Sequence, residues 1–204
     1  MSKFLNILSW IISIIFHPIG MITACCCVIY FSLTIYIRDI LPTNDFIGTL
    51  LPIFLLYYVL PLILCGLYVL FLKWKHIEHD ISRLMLLCMV IAIYSINTFN
   101  NAVDQIFMPY ILASTFTIVV ATIITYFWKI SLHTIGMGGL VAITIICARM
   151  MPLLALKLVP IVVVCAGLVG FARLYLQAHT HAQIYVGFAV GFVTTLGGII
   201  VLAL

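Results

Sequence analysis

Residues 4 to 37 contain no lysine, arginine, aspartate or glutamate, and neither do residues 47 to 72. These two runs constrain the fold more than any other feature. Each exceeds the stretch of about 20 apolar residues that carries a helix across a bilayer. Soluble domains hold about one charged residue in four, which would be roughly 50 here. The chain has nine Lys+Arg and five Asp+Glu in 204 residues, and 66% of it is apolar. That arithmetic excludes a secreted domain, a nucleic-acid binder and a disordered chain, and a net charge of +4 is too small to imply a polyanionic partner. An open sheet cannot satisfy its backbone in lipid, and the period-two alternation of a membrane barrel is absent. The expectation is an all-α integral membrane protein, a bundle of six or seven transmembrane helices forming one domain over residues 1–204.

Polar clusters divide the apolar runs into spans. His17-Pro18 separates a short interfacial segment, about 1–17, from a first span over about 18–37, and His17 reads as structural. Lys3 and the apolar run ending at Ile22-Thr23-Ala24-Cys25 resemble a secretory signal with a lipidation site. The residues beyond Cys25 stay apolar to Ile37, however, where a lipoprotein would begin a polar tether. Span two covers about 47–72, and Lys73 to Arg83 is the densest polar stretch. Span three follows to about 98, with Asn100, Asn101 and Asp104 as the next turn. Span four covers about 107–127, Lys129 and His133 mark an interface, and span five runs to about 148. Arg149 to Pro152 is a tight turn, span six reaches about 172, and a last span follows Gln183. All seven cysteines lie inside apolar runs, where a thiol packs as a small hydrophobe.

Each span reverses the side of the membrane, so residues two spans apart share a face. That parity gathers His76, His79, His133, His179 and His181 at one face with Arg83, Lys129 and Arg173. The opposite face carries Arg38, Arg149, Lys157, Asp39, Asp45 and Asp104. Interfacial Lys and Arg often only set orientation, but histidines carry no strong topological signal. Histidines beside fixed cations, with few acids, suit an anionic ligand. Phosphate is the natural one, since Arg offers planar bidentate donors and histidine titrates near neutrality. Gly136, Gly138, Gly139, Gly187 and Gly191 suit close helix packing.

A family resemblance follows from these residues. The segment ARLYLQAHTHAQIYVGFAVG, residues 172 to 191, resembles the third signature of the type 2 phosphatidic acid phosphatase (PAP2) superfamily. That signature has Ser-Arg, five residues, His, three residues, Asp and a Gly-spaced helix; here Arg173, His179, Gly187 and Gly191 keep the spacing. Ser131-Leu132-His133-Thr134 resembles the second signature, Pro-Ser-Gly-His-Thr. The first, Lys, six residues, Arg-Pro, is only faintly echoed: seven residues before Arg83 stands His76, with Lys75 one step away, and Leu84 replaces the proline. The resemblance covers about residues 73–191.

It implies a membrane phosphatase that hydrolyses a lipid phosphate, a phospholipid monophosphate or a polyprenyl pyrophosphate, through a phosphohistidine. His179 would be the nucleophile and His133 the general acid, with Arg173, Arg83 and Lys75 on the phosphoryl oxygens and neither metal nor cofactor required. Where the family has an aspartate four residues after the nucleophile, this chain has Gln183. Helical spacing would put Gln183 on the face of His179, able to fix the ring's tautomer without supplying charge. Two alternatives stay open: a non-catalytic lipid-phosphate binding or transport protein, and a metal-dependent oxidoreductase using His76-x-x-His79 or His179-x-His181. Membrane lipids are the expected surroundings, with no nucleic-acid partner. The compact chain without a transit peptide points to a bacterial cytoplasmic membrane.

Overall fold

A computed structural model describes residues 2–18, 21, 24–25, 28, 102–149 and 152–202. Every element among them is an α-helix: α1 (Ser2–Ile15), α2 (Ala102–Phe127), α3 (Leu132–Cys147), α4 (Pro152–Tyr175) and α5 (His181–Leu202). The spans expected between residues 29 and 100 lie outside the described residues, and so do Lys75, Arg83, His76 and His79. Two helices are long and apolar enough to cross a membrane, α4 over its Leu156–Tyr175 stretch and α5 over its whole length. At about 1.5 Å per residue both come close to the 30 Å of a hydrocarbon core. The turn expected at Asp104 is instead the start of α2, a place where the helix dipole tolerates an acid.

Many large apolar residues of the helices face outward, while the interior mixes apolar side chains such as Met137 and Ile143 with small and hydroxylated ones. Leu153 on α4 is 82% exposed and Tyr185 on α5 is 69% exposed, whereas Ala113, Ala121, Thr117, Thr134, Thr144 and Thr195 are buried. The exposed apolar side chains, with small residues buried between helices, match helices that pair through small residues in lipid. These four threonine hydroxyls are hydrogen-bonded: Thr117 donates to the Ala113 carbonyl and shares hydrogen bonds with Thr194 (2.8 Å) and Thr195 (3.1 Å), tying α2 to α5. Thr144 donates to the Leu140 carbonyl one turn back.

The closest seam joins α3 and α5. A Cβ on Gly138 would overlap the Phe188 carbonyl oxygen, and one on Gly191 would overlap that of Ile135. Only glycine permits this approach, and it brings the first turns of both helices together: the Ser131 N–H donates to the Gln183 carbonyl at 3.3 Å. α4 packs on the other side of α3, with Met137, Leu140 and Val169 in one core cluster. α1 lies against α4 and turns Ser9 and Ser13 inward, leaving Phe4, Ile7, Trp10 and Ile14 exposed.

Candidate functional site

The link between α4 and α5 is short and closed at both ends by local hydrogen bonds. The Ala178 N–H donates to the Arg173 carbonyl and the Gln177 N–H to the Leu174 carbonyl. This 6→1 and 5→2 pair is a Schellman motif, which needs a left-handed residue at the first position past the cap. Gln177 fills it at φ 52. Three residues later Thr180 caps α5: the Gln183 N–H donates to Thr180 Oγ1 (3.4 Å), and the Thr180 N–H donates to Gln183 Oε1 (3.0 Å). Thr-x-x-Gln is therefore a reciprocal capping box. His179 sits between these two devices, outside either helix.

That placement corrects the expectation for Gln183. His179 precedes α5, so the two do not share a helix face, and the Gln183 carboxamide is engaged as the cap. It lies near enough to favour the protonated ring. Yet no hydrogen bond of ordinary geometry joins them, and His179 Nδ1 is buried without a partner.

Ser131 is the N-cap of α3 in extended conformation, and its side chain makes no cap bond. Its carbonyl accepts from Thr134 Oγ1 at 2.9 Å, while its own Oγ is buried without a partner. The first-turn N–H groups of a helix have no intrahelical acceptors, so the start of α3 presents donors and a positive dipole end. His133 lies in this turn. Its Nε2 meets the Ser13 carbonyl at 3.2 Å, and since a carbonyl only accepts, that nitrogen carries the proton. Ser13 Oγ also accepts from an Arg173 guanidinium nitrogen at 3.5 Å, a long contact that leaves Arg173 Nε unpaired. The N-terminal helix thus reaches two expected site residues at once.

These groups open on one cavity of about 300 Å³. His133, Arg173, His179 and Lys129 line it together with His17, whose ring meets His133 edge-on at a centroid distance of 5.8 Å. His17 is the residue that the sequence reading missed. The same parity rule that gathers the other histidines puts it there, because two expected spans separate it from the 73–83 stretch. His181 is exposed, stacked on Tyr185 at 6.3 Å, and takes no part in the lining. Burial, then the Arg173 charge and more weakly Lys129, hold the His179 pKa below its ordinary 6.5, against the opposing Gln183 contact. His17 is likewise lowered, first by burial and then by Arg173.

The arrangement offers cations, helix N-terminal donors and a neutral, partly buried histidine at one end of a cavity. Among the described residues, no group of three His, Cys, Asp or Glu is placed to hold a metal ion. No protein-family model matches the chain, and no curated protein or solved structure matches it.

Proposed function

We propose that the protein is a multi-pass membrane phosphatase acting on a lipid phosphate, with a PAP2-like division of labour, in a bacterial cytoplasmic membrane. One observation carries the reading: Arg173, Lys129, His133, His179 and His17 line one cavity, and two atoms of that lining, Arg173 Nε and His179 Nδ1, are buried without partners. Buried polar atoms are normally paired, so such a group at one cavity end suits an anion with several acceptor oxygens.

In this scheme Arg173 and the first turn of α3 hold the phosphoryl oxygens. The neutral His179 ring attacks phosphorus as the bond to the lipid oxygen breaks, and His133 protonates that leaving oxygen. Ser13 keeps Nε2–H of His133 in place, so the acid is the imidazolium form of His133, which gives up its Nδ1 proton and becomes neutral. Water then cleaves the phosphorus–nitrogen bond, with His133 accepting its proton. Arg83 and Lys75 belong to the same proposal as further phosphate ligands.

A lipid-phosphate binder without turnover is the second reading. It is favoured by Gln183, which caps α5 where a phosphatase of this kind would orient its nucleophile. Purified protein in detergent with EDTA, assayed for phosphate release from lipid monophosphates and polyprenyl pyrophosphates, separates the two. Release by wild type that falls to background in His179→Ala supports the enzyme. Binding without release supports the binder, and equal release by both proteins sinks the phosphohistidine.

A further inference from the structure

We infer that the cavity is a channel for one hydrocarbon chain, so that the ligand is a single-chain lipid phosphate and not a two-chain phospholipid. The inference rests on the phosphate site proposed above and adds its other half. The cationic and histidine side chains of the lining stand at one end. From there the walls continue along one face of α2, through Ala121 and Ile118, and one face of α3, through Ile135, Gly139 and Ile143. Spacings of three and four residues keep each set on a single helix face. Thr195 of α5 lines the channel at the level of Gly139.

Length and volume set the occupant. From His133 to Ile143 the α3 wall runs about 15 Å, half the thickness of a bilayer's hydrocarbon core. The volume is about 300 Å³; a methylene fills about as much space as a water molecule, about 30 Å³, so about ten fit. That is one chain within the walls that the described residues form. Glycine on the α3 wall lets the neighbouring side chains close around this space. A Cβ at Gly139 would come within 3.1 Å of Thr195 Oγ1, and one at Gly136 within 3.0 Å of Met21 Cγ. The deep hydroxyls Thr117 and Thr195 bond to each other and make no demand on a hydrocarbon. Thr125, one turn from Lys129, is different: its Oγ1 is buried without a partner. At the headgroup end such a hydroxyl suits an ester or phosphate oxygen.

The test measures binding of inorganic phosphate, ethyl, hexyl and decyl phosphate, decanol and didecanoyl phosphatidate to wild type, Gly139→Val and Ile118→Trp. All proteins are held in the same detergent, so that uptake by the micelle cancels between them. The two substitutions fill the channel from opposite walls, and helicity by circular dichroism separates a filled channel from an unfolded chain. Affinity of the wild type, relative to a folded variant, is expected to rise about tenfold from ethyl to decyl phosphate, part of the roughly fourfold per methylene that full removal from water gives. An equal rise in the folded variants, or phosphatidate bound as well as decyl phosphate, overturns the channel. Phosphate binding without chain dependence overturns the channel alone. Decanol binding that is lost in Gly139→Val, with no phosphate bound, supports the channel and overturns the phosphate reading.

Discussion

The two ends of the α3–α5 pair are built on opposite principles. Along the seam, glycines let backbone touch backbone, and nothing polar is left over: Gly138 faces the Phe188 carbonyl, Gly191 that of Ile135, and the neighbouring threonines are hydrogen-bonded. Around the start of the same helices, Ser131 Oγ before α3, Arg173 Nε at the end of α4 and His179 Nδ1 before α5 are buried without partners. Satisfied packing holds a frame, and unsatisfied groups gather where a ligand would satisfy them. The Ser131–Gln183 backbone bond joins the two regimes, so a shift in the seam moves the groups above it.

The seam yields the largest expected effect. Gly191→Leu forces α3 and α5 apart over several turns and is expected to abolish the folded monomer, read by size-exclusion chromatography and thermal unfolding. Gly197, on the same helix, has nothing within 4 Å of a Cβ. There Gly197→Ala is expected to raise stability by up to about 1 kcal/mol through helix propensity. If both variants behave alike, the glycines act through propensity and the seam is not what holds the pair. At the other end, Arg173→Ala is expected to lower kcat/KM for a lipid phosphate by about 10²–10³ while the fold persists, the usual result of removing one preorganised donor. A parallel loss of folded protein would assign Arg173 to the frame instead.

Next in size comes His17. The His17→Phe variant keeps a ring against His133 and removes both nitrogens. A drop of about tenfold in kcat/KM, at the low end of single acid–base groups, is expected if the nitrogens contact the phosphoryl group or its water. Unchanged kinetics would leave His17 with a packing role.

Among the described residues, the breaks between helices were largely legible in the sequence as polar interruptions of apolar runs, although Asp104 falls inside α2. The interruptions at Lys129–His133 and Arg173–Gln183 fall between α2 and α3 and between α4 and α5. The meeting of His133, His179 and Arg173 was legible too, through parity and motif spacing. What was hidden depends on local backbone geometry. Gln183 reads as four residues after His179 on a helix face, yet the cap at Thr180 starts the helix later and turns the glutamine inward to its own N-terminus. Ser13 has no signature at all. A serine in an apolar helix becomes part of a site only through the helix packed beside it, and that pairing joins residues 160 positions apart.

Two substitutions test the mouth with opposite signs. His179 attacks as the neutral ring, and its pKa is held below 6.5. Turnover is therefore expected to persist through pH 6.5 and to fall only as pH drops through the lowered value. Lys129→Met removes one of the depressing charges, so the acid limb moves toward neutrality. Gln183→Ala removes the contact that favours the protonated ring, so the limb moves further into acid. A pH–rate profile reads both. Shifts in the same direction would mean that the variants alter the fold of the turn, not the field at His179.

The smallest effect lies in that turn. Gln177 occupies a left-handed conformation at φ 52, where a Cβ is strained and glycine is not. Gln177→Gly is expected to stabilise the protein by about 1 kcal/mol, the lower end of the left-handed penalty. Thr180→Ala, by removing the cap, should destabilise it by about as much. Thermal unfolding measures both. Their use lies in the kinetics taken beside them. If the Schellman motif and the capping box only join α4 to α5, Tm moves in opposite directions and kcat stays level. If the strained Gln177 instead holds the unpartnered ring of His179 toward the cavity, relaxing it raises Tm and lowers kcat together, and the turn then belongs with the site at the mouth and not with the frame.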